Sequence, residues 1–439
     1  MAIRFENGIV VTLGPDNQVL WNATVVTEGE RIAAVGDSAK MKKQFPGAEG
    51  VDCSGKIILP GFLCTHHHFY STMARGMAVP GEPASNFVEI LERLWWRLDR
   101  ALSEEDITLS AQIPLIECIR HGTTTVIDHH ASPAKREGSL DLIEKAVRQA
   151  GIRASLCYEV SDRNAPGGGI AENERFIKKI GRGDGQIAAM MGLHASFTLS
   201  DKTLETCVGI AKQAGVGCHI HVAEDAADRE DSLKKYRMPT VNRLEKLGVT
   251  GERSIFVHCV HIDASEMDVL ADTKTSVVHN PESNMNNAVG VTKLFELLKK
   301  GVLVGMGTDG MSSDMLAQMR CAYLLHRLAN RDPRVAFLEA PQLLLQNNAE
   351  ICERQFGLRL GELGEGRPAD LAILDYQPPT PLNTGNFLGH LIFGLVGAVV
   401  DTTVCRGKIL MKDKKILVLD EERIAARSRE LAARMWKRL

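Results

Sequence analysis

Apolar and polar positions follow two different periods, and the change from one to the other divides the chain. Residues 3–57 alternate in short runs, Gly8-Ile-Val-Val-Thr, Ala23-Thr-Val-Val-Thr and Arg31-Ile-Ala-Ala-Val-Gly, broken by Gly and Asp-Asn turns. A period of two predicts hairpins of a small antiparallel sheet. From residue 58 the apolar runs become nearly continuous and alternate with helical stretches, the signature of βα units and a parallel sheet.

Strands are predicted at 62–66, 123–128, 153–159, 187–194, 217–221, 254–258, 275–279 and 302–308. Eight such units suggest an α/β fold with a closed (β/α)8 TIM barrel. Helices around 315–330 and 341–356 follow, and then β-like segments return at 364–375 and 403–411 between Pro-rich turns. Neither terminal segment has strands enough for its own core, so the two are expected to join in a small β-sandwich. The resulting division is 1–57 with 360–419 for the sandwich, 58–359 for the barrel and 420–439 for a C-terminal helix. An insertion at 76–110 carries Leu91, Leu94, Trp95 and Leu98 at helical spacing, a packing face first and a lid or dimer contact second.

Five predicted strands end at a histidine and a sixth beside one, and the eighth runs into Asp309. In a barrel that gathers polar side chains at the carboxyl-end face, where such folds keep their active sites. The first strand ends in Thr65-His-His-His, and His66 and His68, two apart, point to one side of an extended chain. The fifth carries Cys218-His-Ile-His-Val-Ala-Glu, the sixth Val257-His-Cys-Val-His, and the eighth Gly305-Met-Gly-Thr-Asp-Gly. A mononuclear site needs three or four N or O ligands and a position for water, and His66, His68, His221 and Asp309 supply them with His258 nearby.

Bulk composition narrows the partners. Of 439 residues 44% are hydrophobic and 24% charged, and the formal net charge of -3 gives no basic excess to draw nucleic acid or anionic membrane. A small neutral substrate fits better. The first residues lack a signal peptide's charged and apolar regions, and no stretch approaches the roughly 18 apolar residues of a membrane helix, so a cytoplasmic protein is expected. The ten cysteines form no Cys-x-x-Cys pair, as in a reducing compartment. The run 225–237 alternates acid and base and reads as a solvated helix face.

Together, Pro60-Gly-Phe-x-x-Thr-His-x-His, His221-x-x-Glu224, His258-Cys-x-His, His279-Asn-Pro-x-Ser-Asn and Gly307-Thr-Asp-Gly resemble the amidohydrolase superfamily, in its branch of cytosolic aminohydrolases and chlorohydrolases of the ATZ/TRZ type. Gly366-Arg-Pro-Ala-Asp-Leu is similar to that family's return to its small β domain. Glu282-Ser-Asn-Met-Asn-Asn-Ala-Val-Gly and Leu94-Trp-Trp-Arg-Leu look most like the SsnA-type aminohydrolases. The resemblance implies that His66, His68, His221 and Asp309 bind one divalent metal, zinc first and iron second. Residues 186–200 hold no lysine for a carbamylated bridge between two metals, which also points to one ion.

Hydrolytic deamination of an aminated N-heterocycle such as a purine, pterin or triazine is then expected, by hydroxide activated at the metal and with loss of ammonia. Asp309 and Glu224 would move protons and His258 would stabilise developing charge. His194 matches a family position that contacts substrate, and His279, Asn284 and Trp95 are further candidates for the pocket. Glu159, Asp162 and Arg163 are candidates on the following loop. Ring opening of a cyclic amide and chlorohydrolysis are the alternatives at the same site, with a non-catalytic scaffold behind them. Barrels of this family are often dimers, and a homodimer is expected.

Overall fold

The computed structural model describes residues 2–79, 81–181 and 183–439. It is a mixed α/β structure built on two parallel sheets and one separate mixed sheet.

The mixed sheet takes β1 (Ala2–Val11), β2 (Val19–Glu28), β3 (Arg31–Asp37), β4 (Glu49–Asp52) and β5 (Lys56–Pro60) from the N-terminal segment. The first parallel sheet holds β6 (Phe62–His67), β7 (Thr123–His130), β8 (Arg153–Tyr158) and β9 (Ile187–Ala189). The second holds β10 (Met191–Ala195), β11 (Cys218–Val222), β12 (Ile255–His258), β13 (Ser276–His279) and β14 (Val304–Met306). The C-terminal segment returns β15 (Leu371–Asp375), β16 (Val400–Cys405), β17 (Lys408–Lys412) and β18 (Lys415–Ile416) to the mixed sheet.

All eight predicted parallel strands are present. Each is buried along its length, which is why it reads as an apolar run rather than an alternation. The fourth differs from expectation by dividing at Met190. There the chain changes partner: Met190 N–H donates to Leu156 O at 3.2 Å, and Met191 N–H to Gly217 O at 3.0 Å. One predicted strand thus serves both parallel sheets. At the other seam Thr308 and Asp309 N–H both donate to His66 O, at 3.0 and 3.1 Å.

The apolar run before the three histidines also divides. Ile58 to Pro60 belong to β5 of the mixed sheet, beyond the boundary expected at residue 57. Pro60 has no N–H to continue a ladder, and Gly61 lies where a Cβ would meet the Thr124 side chain at 2.3 Å, so the chain breaks here and restarts as β6. β5 pairs parallel with β1 (Ile9 opposite Ile57) and antiparallel with β15 (Leu371 opposite Pro60). It therefore splices the two terminal segments into one nine-stranded sheet, in place of two separately bonded layers. Phe5, Val25, Ile32, Leu371, Ile373 and Val404 share the apolar cluster of that sheet.

Arg153 at the start of β8 fixes this sheet to the parallel one. Its Nε lies 3.0 Å from Asp370 Oδ2, with both side chains buried. Arg153→Ala leaves the Asp370 carboxylate buried without its cation and should destabilise the chain by about 3–5 kcal/mol, read as a lower denaturant midpoint at unchanged slope. A loss below about 1 kcal/mol, the range of surface pairs, would refute a buried structural role.

The C-terminal helix Glu421–Met435 buries Ile424, Leu431 and Met435, a single apolar stripe. It lies on the helix Glu104–Arg120, where Arg120 Nε meets Glu421 Oε1 at 2.8 Å. Among the described residues no helix is long and apolar enough to cross a membrane.

Candidate metal centre

His66, His68, His221 and Asp309 come together as the sequence reading expects. Their candidate donor atoms lie within 4.8 Å of one another. His68 Nε2 is 3.1 Å from His221 Nε2, and Asp309 Oδ1 is 3.2 Å from His68 Nε2 and 3.5 Å from His66 Nε2. Gly307 makes room for this: a Cβ there would stand 2.8 Å from the His66 Cβ and 2.7 Å from its carbonyl.

The far side of each ring is held. His68 Nδ1 lies 2.6 Å from His129 O and His221 Nδ1 lies 2.9 Å from His194 O, so in both Nδ1–H donates to a carbonyl and the Nε2 lone pair is left for the shared point. His66 Nδ1 is 2.9 Å from His219 Nε2, while His66 Nε2 is buried without a hydrogen-bond partner. Three oriented imidazoles, one carboxylate and an orphaned buried nitrogen make a donor set that fits a divalent cation.

The electrostatics agree. Burial holds His66 well below the usual imidazole range and His221 at about 3, so both rings stand neutral, the form that can bind a metal. Burial also pulls on His68, but Asp309, Glu159 and Asp128 outweigh it and raise that ring to about 9. Burial acts to raise Asp309, whereas its contacts with His66 and His68 bring it well below the ordinary carboxylate range. The cluster thus concentrates negative potential where the rings converge, which suits a cation.

Glu224 and His258 stand beside this set without belonging to it. His258 Nε2 is 3.5 Å from Glu224 Oε2 and 3.7 Å from Asp309 Oδ2, and its Nδ1 is 2.7 Å from Asn284 Oδ1. Burial pushes Glu224 up to about 7. The backbone is left-handed at Ala223, His258, Cys259 and Asp309, with φ of 45°, 70°, 50° and 52°. Such conformations cost of order 1–3 kcal/mol each and persist where the surroundings over-determine them. Here they bend the chain at the ends of β11, β12 and β14, beside Glu224, His258 and Asp309.

One cavity has His68, His221, Glu224 and Asp309 on its floor. Its roof is the insertion: the helix Phe87–Ile90, a π-helical turn Leu91–Trp95 and the helix Trp96–Ala101. The π turn shifts the expected helical stripe. Leu91 and Leu98 are buried, while Trp95, Trp96 and Asp99 line the cavity. His194 lines it too, with its Nδ1 2.7 Å from Thr198 Oγ1 and its ring 6.1 Å from that of Trp96.

Two expected pocket residues lie elsewhere. His279 is fully buried away from the cavity, its Nε2 3.1 Å from His326 Nε2, because it shares the face of β13 that meets the helix layer with Val277. Asn284 lies behind His258 rather than in front of it. Asp162 accepts from Gly167 N–H, Ser200 N–H and Thr203 Oγ1, so it ties loops together. Glu159 does line the cavity, joined through Arg163 to Asp99 at 3.0 Å on each side, and the guanidinium lies 4.6 Å from the Trp96 ring. Sequence reasoning missed three contacts: His219 behind His66, Ser283 on Asp309 and Asn287 on Glu224.

Residues 57–410 match the pattern of the Amidohydrolase family. The chain is 32% identical over 445 residues to a 5-methylthioadenosine/S-adenosylhomocysteine deaminase of Pelotomaculum thermopropionicum, covering 99% of each chain. It is 32% identical over 445 residues to a 5'-deoxyadenosine deaminase of Methanosarcina mazei, covering 100% of this chain and 99% of that protein. Among solved structures, a zinc-bound adenosine deaminase from Xanthomonas campestris superposes with a TM-score of 0.87 at 24% identity, over 99% of this chain and 98% of that one. With a family match over most of its length and relatives of this identity along the whole of it, the chain belongs to the amidohydrolase family.

Proposed function

We propose that the chain is a zinc-dependent aminohydrolase that replaces an amino group on a planar N-heterocycle with oxygen and releases ammonia. One observation carries this reading: a four-donor metal set, three of whose members line the cavity, stands beside a separate carboxylate on the same cavity wall, Glu224, with the buried imidazole of His258 next to Glu224 and Asp309. His66, His68, His221 and Asp309 would hold the ion, with iron as the second choice, and when bound it supplies Lewis acidity for activating water.

Asp309 divides its work between its oxygens. Oδ1 faces His66 and His68, and Oδ2, which accepts from Ser283 Oγ, faces His258 and takes the proton that the attacking water gives up. Glu224, raised to about 7, exchanges protons near neutral pH: it gives the one it holds to the ring nitrogen, takes up the remaining proton of the added water from the new oxygen and passes it to the departing amine, and the proton left on Asp309 restores it for the next turnover. His258 Nε2, buried without a hydrogen-bond partner, stands where charge builds on the new oxygen. Trp95, Trp96, Phe87 and Phe197 offer flat apolar surface to a ring, and His194 its imidazole edge. The names of the relatives put aminated purines of the adenosine type first, ahead of pterins and triazines.

The architecture in this reading is a closed (β/α)8 barrel that begins at β6 and runs to residue 359, supported by the seams at Met190 and at His66. The terminal segments, 1–60 and 360–419, join in one small β domain, supported by their common apolar cluster and single nine-stranded sheet, and 420–439 form the closing helix. A homodimer is supported by the exposed Leu324 and Leu328, four apart on one helix, and by Phe393 against Tyr323. Ten free cysteines support a cytoplasmic location.

Zinc-loaded protein presented with aminopurines, aminopterins and aminotriazines should release ammonia from one class, with a matching ultraviolet change, and Asp309→Asn should release none. Ring opening without ammonia would replace this reading with that of a cyclic-amide hydrolase, and chloride release from a chlorotriazine with that of a chlorohydrolase.

A further inference from the structure

The short helix Pro281–Asn286 begins directly after β13, and it brings Ser283 and Asn287, four positions apart, to the cavity wall. Ser283 Oγ donates to Asp309 Oδ2. Asn287 Nδ2 donates to Glu224 Oε1 at 3.1 Å and lies 3.4 Å from Ser283 Oγ. The amide is not free to turn over, because its Oδ1 accepts from Asn286 Nδ2 at 3.0 Å. Its NH2 edge therefore faces Glu224, whose other oxygen, Oε2, points at His258 Nε2.

We propose that Asn287 is a positioning residue for Glu224, holding Oε1 so that Oε2 is the oxygen that handles protons at the reacting centre. This rests on the aminohydrolase reading, since only a proton-carrying Glu224 needs a fixed working oxygen. The geometry gives the assignment its content. A carboxylate turns about its last bond with little resistance, and a proton-carrying one is productive only when the carrying oxygen is aimed. The Asn287 N–H holds one oxygen and leaves the other beside His258 and Asp309. The same helix turn, through Ser283, holds the outer oxygen of Asp309. Two carboxylates from two strands thus take their orientation from one rigid element, as a preorganised proton path requires.

The residue type matters. Leucine has the same branching and nearly the same volume, but it offers Oε1 no donor. Aspartate would set a like charge against it.

The test uses the zinc-loaded full chain. Asn287→Leu should lower kcat about 10- to 100-fold with KM and zinc content little changed, the size of effect that follows from misplacing a reacting group by about 1 Å. Asn287→Gln, which keeps the amide donor, should recover part of the loss. A residue with only a structural role would lower thermal stability and leave kcat per zinc-bearing site intact, so wild-type kcat in Asn287→Leu overturns the proposal. Should that variant not fold, Asn287→Asp carries the same comparison, and wild-type kcat there overturns it equally. If the wild-type protein deaminates no ring, the aminohydrolase reading falls by itself. The crystal structure of zinc-bound Asn287→Leu then decides the remainder: Glu224 turned away from His258 supports the positioning contact, and an unmoved Glu224 overturns it.

Discussion

Glu224→Gln should lower deaminase turnover by about 10²- to 10⁴-fold and leave zinc content unchanged, the loss expected when a positioned acid–base group is removed. The substitution keeps shape and hydrogen bonding, since a glutamine carbonyl can still accept from Asn287 Nδ2. It removes only the capacity to carry a proton. Glu224 is outside the four-residue donor set, so metal content should not follow activity downward. KM should change little, because the group works in the transition state rather than in binding. The comparison to make is kcat, KM and zinc content for the two proteins side by side. Near-normal turnover with bound zinc would exclude Glu224 as the proton carrier. Loss of zinc together with activity would instead place Glu224 among the ligands, where its contact with Asp309 through His258 could put it.

Much of this site can be read from the sequence, for a definite physical reason. A parallel strand buried on both faces is an apolar run, and a functional residue at its end is an ionisable side chain that closes that run. His66, His221, His258 and Asp309 all announce themselves in this way. The rule also shows where it fails. His279 ends β13 just as prominently, but Val278 packs in the cluster with Ile255 and Val257 while Val277 faces the helix layer, so alternation carries His279 outward to His326. By the same alternation His258 would follow Phe256 outward. Its φ of 70° turns it back toward Glu224, and no period of two reveals that.

Contacts between elements were the other hidden part. The Ser283 and Asn287 pair was available as an i, i+4 spacing on a helix opened by Pro281, but the carboxylates it faces come from the ends of β11 and β14. His219 could be placed on the same face as His221, one layer deeper, while its partner His66 lies 153 positions earlier. The division of the fourth strand at Met190 depends on which neighbour each half meets, which is a property of the assembled sheets. Likewise Ile58 to Pro60 read as part of the histidine strand because burial alone does not say which sheet does the burying.

Removing the metal should abolish turnover, and returning zinc should restore it, since a bound divalent ion lowers the pKa of its water from 15.7 toward about 7. The same treatment should weaken the fold. An ion bound only by the native chain adds about 4 kcal/mol of stability at a thousandfold excess over its dissociation constant. The chelated protein should therefore melt well below the zinc-loaded one, and the gap should widen with zinc concentration. The donor geometry also ranks single variants. His66→Ala removes a fully buried ring whose Nε2 has no hydrogen-bond partner and whose Nδ1 is held by His219, so it should lower zinc content and activity together. His219→Ala leaves all four donors in place but frees the His66 ring, and should weaken zinc binding about 10- to 100-fold, as the loss of an orienting partner does elsewhere. Metal analysis of the two variants against the unaltered chain, after dialysis at fixed free zinc, separates the roles. Full zinc occupancy in His66→Ala would remove that residue from the ligand set, and turnover that survives complete chelation would remove the metal from the chemistry.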